Sequence, residues 1–134
     1  MEFDMIDHTG INVSNFAASK AFYLQALAPL GYTVKLELPN AAGFGEIAGT
    51  DPGGDFWIAS GEPFSPRSHI AFHASNEEEG MAFYQAALAA GATDNGAPGL
   101  RPHYHPSYYA AFVYDPDGYN IEVVYQRPRP RRRD

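Results

Sequence analysis

Two segments of the chain share one spacing of residues without a gap. The first is "HTGINVSNFAASKAFYLQAL", residues 8–27, and the second is "HIAFHASNEEEGMAFYQAAL", residues 69–88. Both contain the pattern H-x5-S-N-x5-A-F-Y-x2-A-L. Such an internal repeat indicates one structural unit that occurs twice, so any fold proposed for the chain must place both copies in equivalent positions.

Each copy is predicted to begin with a strand followed by a helix. The runs "MIDHTGINV" (5–13) and "SHIAFHA" (68–74) are strand-like, and the Ser-Asn that follows each run is a strong helix cap. Beyond the cap, apolar residues recur at helical spacing, namely Phe22, Tyr23, Ala26, Leu27 and Leu30 in the first copy and Met81, Phe83, Tyr84, Ala87 and Leu88 in the second.

Three further strands are predicted after each helix. The first copy continues with "YTVKLEL", "GFGEIAG" and "DFWIAS". The second continues with a weak run near 92–94, a long loop "NGAPGLRPHYHPS", and the runs "YYAAFVY" and "YNIEVVYQ". A second correspondence places "DPGGDFWIAS" (51–60) over "DPDGYNIEVV" (115–124), which aligns Ile58 with Glu122. The predicted fold is therefore α+β, with the same strand-helix-strand-strand-strand unit occurring twice.

Composition narrows the classes of protein to which the chain can belong. Its 134 residues suit one compact domain, and 45% hydrophobic against 19% charged residues is ordinary for a globular protein. There is no cysteine, which excludes disulfides, thiolate metal ligands and a cysteine nucleophile. No secretory signal and no apolar run of about 20 residues is evident, so we expect a cytoplasmic protein without a membrane partner.

The net charge of −7 is unevenly distributed along the chain. Five of the nine basic residues lie in the tail 127–134, which we expect to be disordered, and the body 1–126 has four basic residues against fifteen acids. A body with this balance repels nucleic acid. We expect the partner to be a small molecule.

Three residues that can bind a metal are predicted to lie on the sheet faces that the helices leave uncovered. Strand alternation points Ile121, Val123 and Tyr125 towards a helix and Glu122 away from it. The same argument turns His8 and His69 away from the helices. Two histidines and a carboxylate suit a divalent metal with open positions, although strand histidines also occur as partly buried polar residues without a ligand.

The expected pairing of the last two strands also predicts the face on which Tyr109 lies. If residues 115–118 form a tight turn, Ala111 lies opposite Glu122, and Tyr109 is on the same side of the sheet. Tyr109 is then predicted to line the same surface as the glutamate.

With "IDHTGINVSNFAASKAFY", "HIAFHASNEEEGMAFYQAALAAGA" and "AFVYDPDGYNIEVV", the chain resembles the vicinal oxygen chelate superfamily. The resemblance covers about residues 5 to 126. It implies one domain, 1–126, of two tandem βαβββ modules (about 5–61 and 68–126) that form a cup-shaped, barrel-like mixed sheet with helices outside. It also implies that His8, His69 and Glu122 hold a divalent ion, which could be Fe, Mn, Zn or Ni.

One position departs from the glyoxalase I branch of that superfamily. Glyoxalase I-like members place a fourth metal ligand at about the position of Ile58, and the first copy supplies none there. The remaining ligands resemble the three-ligand set of the dioxygenase and fosfomycin-resistance branches. We therefore do not expect glyoxalase I activity itself.

The segment "LRPHYHPSYY" is the second candidate for function. Arg101 could hold an anionic group, and His103, His105 or Tyr109 could move protons. Tyr104 and Trp57 are candidates for contact with an apolar or aromatic substrate. A proline-rich loop that is packed by its own aromatic side chains explains the same residues equally well.

Two functions are compatible with these residues. The first is a metalloenzyme that acts on a small substrate with two neighbouring oxygens, by dioxygenase or lyase/isomerase chemistry. The second is a metal-free cup that sequesters a small molecule, as bleomycin-resistance relatives do. Because His8 lies in the first unit while His69 and Glu122 lie in the second, a site needs the two units face to face. One chain could fold its halves together, or two chains could exchange them. We expect the exchange in a homodimer, because the first strand of each unit is an edge that a two-fold dimer can cover.

Overall fold

The computed structural model describes residues 6–126, and the disorder expected for the tail 127–134 lies outside the described residues. The elements follow the order expected from the repeat: β1 Thr9–Val13, α1 Phe16–Leu27 with a 3-10 turn Ala28–Leu30, β2 Tyr32–Leu38, β3 Ala41–Glu46, β4 Phe56–Ser60, β5 His69–His73, α2 Glu77–Ala89, β6 Thr93–Leu100, β7 Tyr108–Tyr114 and β8 Asn120–Gln126. This order confirms the α+β class. Neither helix in the described part of the chain is long and apolar enough to cross a membrane.

The described strands form two four-stranded mixed sheets of identical topology. Their orders are β1-β4-β3-β2 and β5-β8-β7-β6. In each sheet the first strand runs parallel to its neighbour, and the other pairs are antiparallel. The sheets do not close into a continuous barrel, and the first strand of each module lies at an edge. We call β1 to β4 with α1 module one, and β5 to β8 with α2 module two.

Matching asparagine caps start the two helices. The side chain of Asn15 accepts a hydrogen bond from the backbone N–H of Ala18, and that of Asn76 accepts one from Glu79. Each cap satisfies a backbone donor that has no partner within its helix. The Ser-Asn of the repeat is therefore explained by helix initiation, which both copies need in the same place.

One hydrophobic core serves both modules. The rings of Phe56 in β4 and Phe72 in β5 meet edge to face with centroids 5.1 Å apart, and Tyr32 contacts Phe72 from β2 at 6.0 Å. The two helices also pack against each other. Because the helix-covered faces of both sheets contribute to this shared core, the opposite faces of the sheets turn away from it.

The turn between β7 and β8 packs against module one and forms hydrogen bonds with it. Asp115 is buried, and its Oδ1 accepts from the backbone N–H groups of Asp117 and Tyr119, both at 2.9 Å. Its Oδ2 accepts from the hydroxyl of Tyr23 in α1 at 2.5 Å. The Tyr119 hydroxyl donates to the carbonyl of Asn12 at 2.6 Å. The turn therefore joins the start of β8 to the first helix and first strand of the other module.

Two predicted boundaries differ from the structure. Strand β6 continues to Leu100, through a segment for which the sequence predicts a loop. It is an edge strand with two register shifts, where a residue such as Pro98 is tolerated, and Gly96 adopts a φ of 149°. His8 lies one residue before β1, because pairing begins where Thr9 N–H donates to the Asp55 carbonyl.

We predict that Asp115→Ala lowers the free energy of unfolding by about 3 kcal/mol, because it leaves two buried donors and one partly buried donor without an acceptor. Asp115→Asn is the matched control. It keeps an acceptor for both backbone N–H groups and can donate to the Tyr23 hydroxyl, so we expect a change of less than about 1 kcal/mol. Urea denaturation at neutral pH measures both values. Equal losses in the two variants would contradict this role for the carboxyl oxygens.

The contribution of Asp115 to stability depends on pH because its carboxyl group is buried. Burial raises the pKa of Asp115 above its ordinary value of 3.8, so the folded state holds this proton more tightly than the unfolded state. The contribution of Asp115 to stability is therefore full below pH 3.8 and falls as the pH rises through the raised pKa. Urea denaturation from pH 3.8 to neutral pH should show the free energy of unfolding of Asp115→Asn increasing relative to that of wild type as the pH rises.

Candidate metal centre

His69 and Glu122 meet on the open face of module two. The parallel register pairs His69 with Asn120 and Ala71 with Glu122, which places both side chains on one face. The His69 Nδ1 lies 2.8 Å from the Asn120 carbonyl oxygen, and Nε2 lies 2.9 Å from Glu122 Oε1. A carbonyl oxygen can only accept, so Nδ1 carries a proton. A neutral His69 therefore directs the lone pair of Nε2 at a carboxylate oxygen.

Two acceptor atoms in this position need a cation between them, either a proton or a metal. Ligands in adjacent positions around a divalent ion, with bonds of about 2.1 Å, lie about 3 Å apart. The 2.9 Å between Nε2 and Oε1 fits that separation. The Asn120 carbonyl fixes the ring in the way that outer hydrogen bonds orient metal-binding histidines. The donor chemistry of this pair therefore fits a divalent metal.

The register of β7 and β8 differs by one residue from the expected register. Phe112, and not Ala111, lies opposite Glu122. The turn is longer than predicted, because the strands close with the pair Tyr114 and Asn120. A shift of one residue moves every side chain to the other face of the sheet.

Because of this shift, Tyr108 and Tyr109 each lie on the face of the sheet predicted for the other. Tyr109 faces α2, where its ring lies 3.3 Å from the position that a Cβ on Gly80 would occupy. The prediction that Tyr109 lines the same surface as Glu122 is therefore wrong, and its proposed role in proton transfer loses its basis. Tyr108 takes that place and donates its hydroxyl to Glu122 Oε2 at 2.5 Å. Burial, followed by Glu122, raises the pKa of Tyr108 above its usual range, which keeps the phenol a donor.

The loop before β7 packs around Tyr108. His105 Nδ1 accepts from the backbone N–H of Ser107, so Nε2 carries the proton and donates to Gln126 Oε1 at 2.8 Å. Both ring nitrogens of His105 thus have partners inside the chain. The Tyr104 ring meets Tyr108 with centroids 4.8 Å apart, and the exposed His103 ring lies 4.3 Å from Tyr104.

Arg101 folds back onto its own strand. Its guanidinium donates to the carbonyls of Ala97 at 2.7 Å and Gly99 at 2.9 Å. It also lies 5.5 Å from the ring centre of Phe112, the residue opposite Glu122. Arg101 therefore borders the candidate site, with part of its donor capacity already used.

His8 belongs to a separate cleft on module one. This cleft of about 380 Å³ is lined by residues that include His8, Gly10, Asp51, Gly53 and Trp57. The Nδ1 of His8 lies 2.7 Å from Asp7 Oδ1. Trp57 lies across Gly43, where an added Cβ would be 2.5 Å from the indole Cε2 and would collide with the Gly53 carbonyl oxygen. The open face of module one is thus an aromatic surface over glycine.

Trp57 occupies the position in module one that Glu122 occupies in module two. Gly10 pairs with Trp57, and Ala71, two residues beyond His69 as Gly10 is beyond His8, pairs with Glu122. The alignment of Ile58 with Glu122 is therefore wrong by one residue, because Trp57 lies six residues after Asp51 whereas Glu122 lies seven residues after Asp115. The expectation that module one supplies no ligand there still holds, since the residue is a tryptophan.

The three predicted metal ligands are not assembled within one chain. The structure brings His69 and Glu122 together and leaves His8 in the cleft of the other module. Within residues 6–126, no group of three or more His, Cys, Asp or Glu side chains could hold a metal ion.

A family model described as "Glyoxalase/Bleomycin resistance protein/Dioxygenase superfamily" matches residues 5–123. The chain belongs to this superfamily. The resemblance to vicinal oxygen chelate proteins is thereby confirmed. No curated protein matches the sequence.

Solved structures of this superfamily share the fold of the chain. A glyoxalase/bleomycin resistance protein from Albidiferax ferrireducens T118 is 27% identical, with a TM-score of 0.75 over 95% of this chain and 100% of that one. A glyoxalase-related enzyme from Fulvimarina pelagi is 17% identical, with a TM-score of 0.71 over 96% and 92%. A lactoylglutathione lyase from Agrobacterium tumefaciens is 16% identical, with a TM-score of 0.67 over 97% and 99%. At the identity of the last two, the likeness concerns the fold alone.

We predict that Gly43→Ala displaces Trp57 and lowers the free energy of unfolding by about 3 kcal/mol, because no space exists for the added methyl group. Trp57 is the single tryptophan of the chain, so its fluorescence emission reports the displacement directly. The control is Gly49→Ala, whose Cβ would meet its nearest atoms only at 3.4 Å. An unchanged emission spectrum in Gly43→Ala would contradict the packing of the indole on this glycine.

Proposed function

We propose that the chain is a divalent-metal-dependent enzyme that acts on a small substrate with two neighbouring oxygens. The observation that carries this proposal is the pair of His69 Nε2 and Glu122 Oε1 at 2.9 Å, with Nδ1 committed to the Asn120 carbonyl. This is the donor set and the outer hydrogen bond of a metal-binding histidine. Superfamily membership is compatible with the same function.

The residues of the proposed site have separate tasks. His69 and Glu122 would hold the ion, which could be Fe, Mn, Zn or Ni, and His8 would be the third ligand. A bound metal of this kind acts as a Lewis acid towards an oxyanion on the substrate. Trp57 offers an indole face to an apolar or aromatic part of the substrate. Among the loop histidines, His103 is the better candidate to move a proton, because both nitrogens of His105 are engaged.

The charges of the described residues favour a substrate without a strong anionic group. Each of the four cationic side chains in residues 6–126 donates to an oxygen of the chain itself: Lys20 to Glu37, Lys35 to the carbonyls of Glu46 and Gly49, Arg67 to the carbonyls of Phe64 and Asp117, and Arg101 to those of Ala97 and Gly99. A phosphonate would have to compete for these donors. A neutral substrate with an apolar or aromatic body fits better, and the chemistry would be of the dioxygenase or lyase/isomerase type.

A metal-free small-molecule binding protein is the second candidate. It is favoured by one feature of the same site: a proton between His69 and Glu122 satisfies both side chains, while Tyr108 satisfies the other carboxylate oxygen. The two candidates differ in whether the purified protein binds a divalent ion.

We predict that protein purified without chelator binds about one divalent ion per chain. His69→Ala and Glu122→Ala should each weaken binding by more than about 100-fold without unfolding the protein, because a lost ligand is not replaced by any neighbour. His73→Ala is the control, since His73 is on the same strand and face as His69. Titration with Zn²⁺ followed by calorimetry gives the affinities. A wild-type protein that binds no divalent ion would favour the metal-free binding protein.

We further propose that the site is shared between the two chains of a homodimer. The dimer is supported by the position of the shared core, which lies on the faces opposite His8 and Glu122, and by the lack of a three-ligand group within residues 6–126 of one chain. Strands β1 and β5 are the edges of their sheets. A two-fold dimer can cover open edges and place unlike modules face to face.

A mixture of two defective chains tests the shared site. If His8→Ala and Glu122→Ala chains are refolded together, a shared arrangement gives heterodimers in which one site has both defects and the other has none. We therefore expect metal binding to return to about half of the wild-type capacity in isolated heterodimers. If each chain builds its own site, every site keeps a defect, and a verified heterodimer recovers nothing.

A further inference from the structure

The two oxygens of Glu122 have different partners. Oε1 faces His69 Nε2 at 2.9 Å, while Oε2 accepts the hydroxyl hydrogen of Tyr108 at 2.5 Å. The Glu122 side chain is only 5% exposed, so water has little access to either oxygen. Its orientation is therefore set by these two neighbours.

The sheet and the preceding loop together place the Tyr108 hydroxyl. Tyr108 lies opposite Gln126 and Phe112 lies opposite Glu122, with only the pair Ala110 and Val124 between them. The methyl group of Ala110 leaves the phenol room to lean along the face towards the carboxylate. From the loop, the ring of His105 meets Tyr108 edge to face with centroids 5.4 Å apart. His105 is itself fixed through Gln126 and Ser107, as described above.

We propose that Tyr108 is a positioning residue that restricts Glu122 to coordination through one oxygen. The inference rests on the metal site proposed above. A carboxylate can bind an ion through one oxygen or through both. With its hydroxyl on Oε2, Tyr108 leaves only Oε1 beside the histidine nitrogen. On a bound ion, this restriction would keep free a coordination position that a two-oxygen carboxylate would take, and a substrate with two neighbouring oxygens would need two such positions.

The neighbouring residue provides a matched pair of variants. Tyr108→Phe removes the hydroxyl that faces Glu122, whereas Tyr109→Phe removes a hydroxyl on the helix side of the same strand. Both changes keep the ring, so thermal denaturation should show that both variants remain folded. Co²⁺ is the probe, because its visible absorption reports the number and geometry of its ligands.

We expect the Co²⁺ spectrum of Tyr108→Phe to differ from that of wild type, because the released oxygen becomes available as a further ligand, with an affinity changed by about 10-fold, the size usual when an outer hydrogen bond to a ligand is lost. Tyr109→Phe should match wild type in both measurements. If wild type binds Co²⁺ and Tyr108→Phe gives an unchanged spectrum, the positioning role is overturned while the metal site stands. If wild type binds no Co²⁺, the metal site itself is overturned, and the role of Tyr108 with it.

Discussion

The buried carboxyl group of Asp115 ties the two halves of the molecule together. One of its oxygens orders the turn before β8, and the other receives a hydrogen bond from α1 of module one. Because Glu122 lies seven residues further along the same strand and turn, the position of the candidate ligand is anchored to the other module. A buried acid is costly to keep ionised, and three donors on two oxygens reduce that cost without cancelling the effect of burial.

One face of each sheet packs in the core, and the side chains of the candidate site lie on the opposite face. The helix-covered faces contribute aromatic and aliphatic side chains to one core, with Phe56 and Phe72 in contact across the modules. The open faces carry the histidines, the glutamate, Trp57 and Tyr108. This division follows from strand alternation, since neighbouring residues on a strand serve opposite faces. It also explains why stability and the candidate function depend on different residues of the same strands.

Features of the fold that depend on short segments could be predicted from the sequence. Features that depend on how distant segments pair were predicted less well. The caps at Asn15 and Asn76 and strand β7 could be recognised because capping and strand composition are properties of short segments. The order of elements followed from the repeat. The register of β8 could not be read in the same way, because one additional residue in a turn leaves the composition almost unchanged and reverses the faces.

The same reversal decided how much of the candidate site was foreseen. His69 and Glu122 were correctly expected on one open face, since their own alternation was sufficient for that. Tyr108 was missed in favour of Tyr109 because its assignment depended on the turn. The partners of Arg101 could not be foreseen either, because they are backbone carbonyls of an edge strand that resembles a loop in sequence.

Trp57 and Glu122 stand at equivalent points of the repeated unit, and their chemistry is opposite. A cup made from one module of each kind is therefore asymmetric even though its scaffold is nearly symmetric. One wall is a flat indole over glycine, and the other is a carboxylate beside an imidazole. Under the proposed function, a molecule in such a cup would place its apolar part against the indole and its oxygens towards a metal held by the carboxylate and the imidazole. The difference between Trp57 and Glu122 at one equivalent position thus gives the two walls of a duplicated scaffold different chemistry.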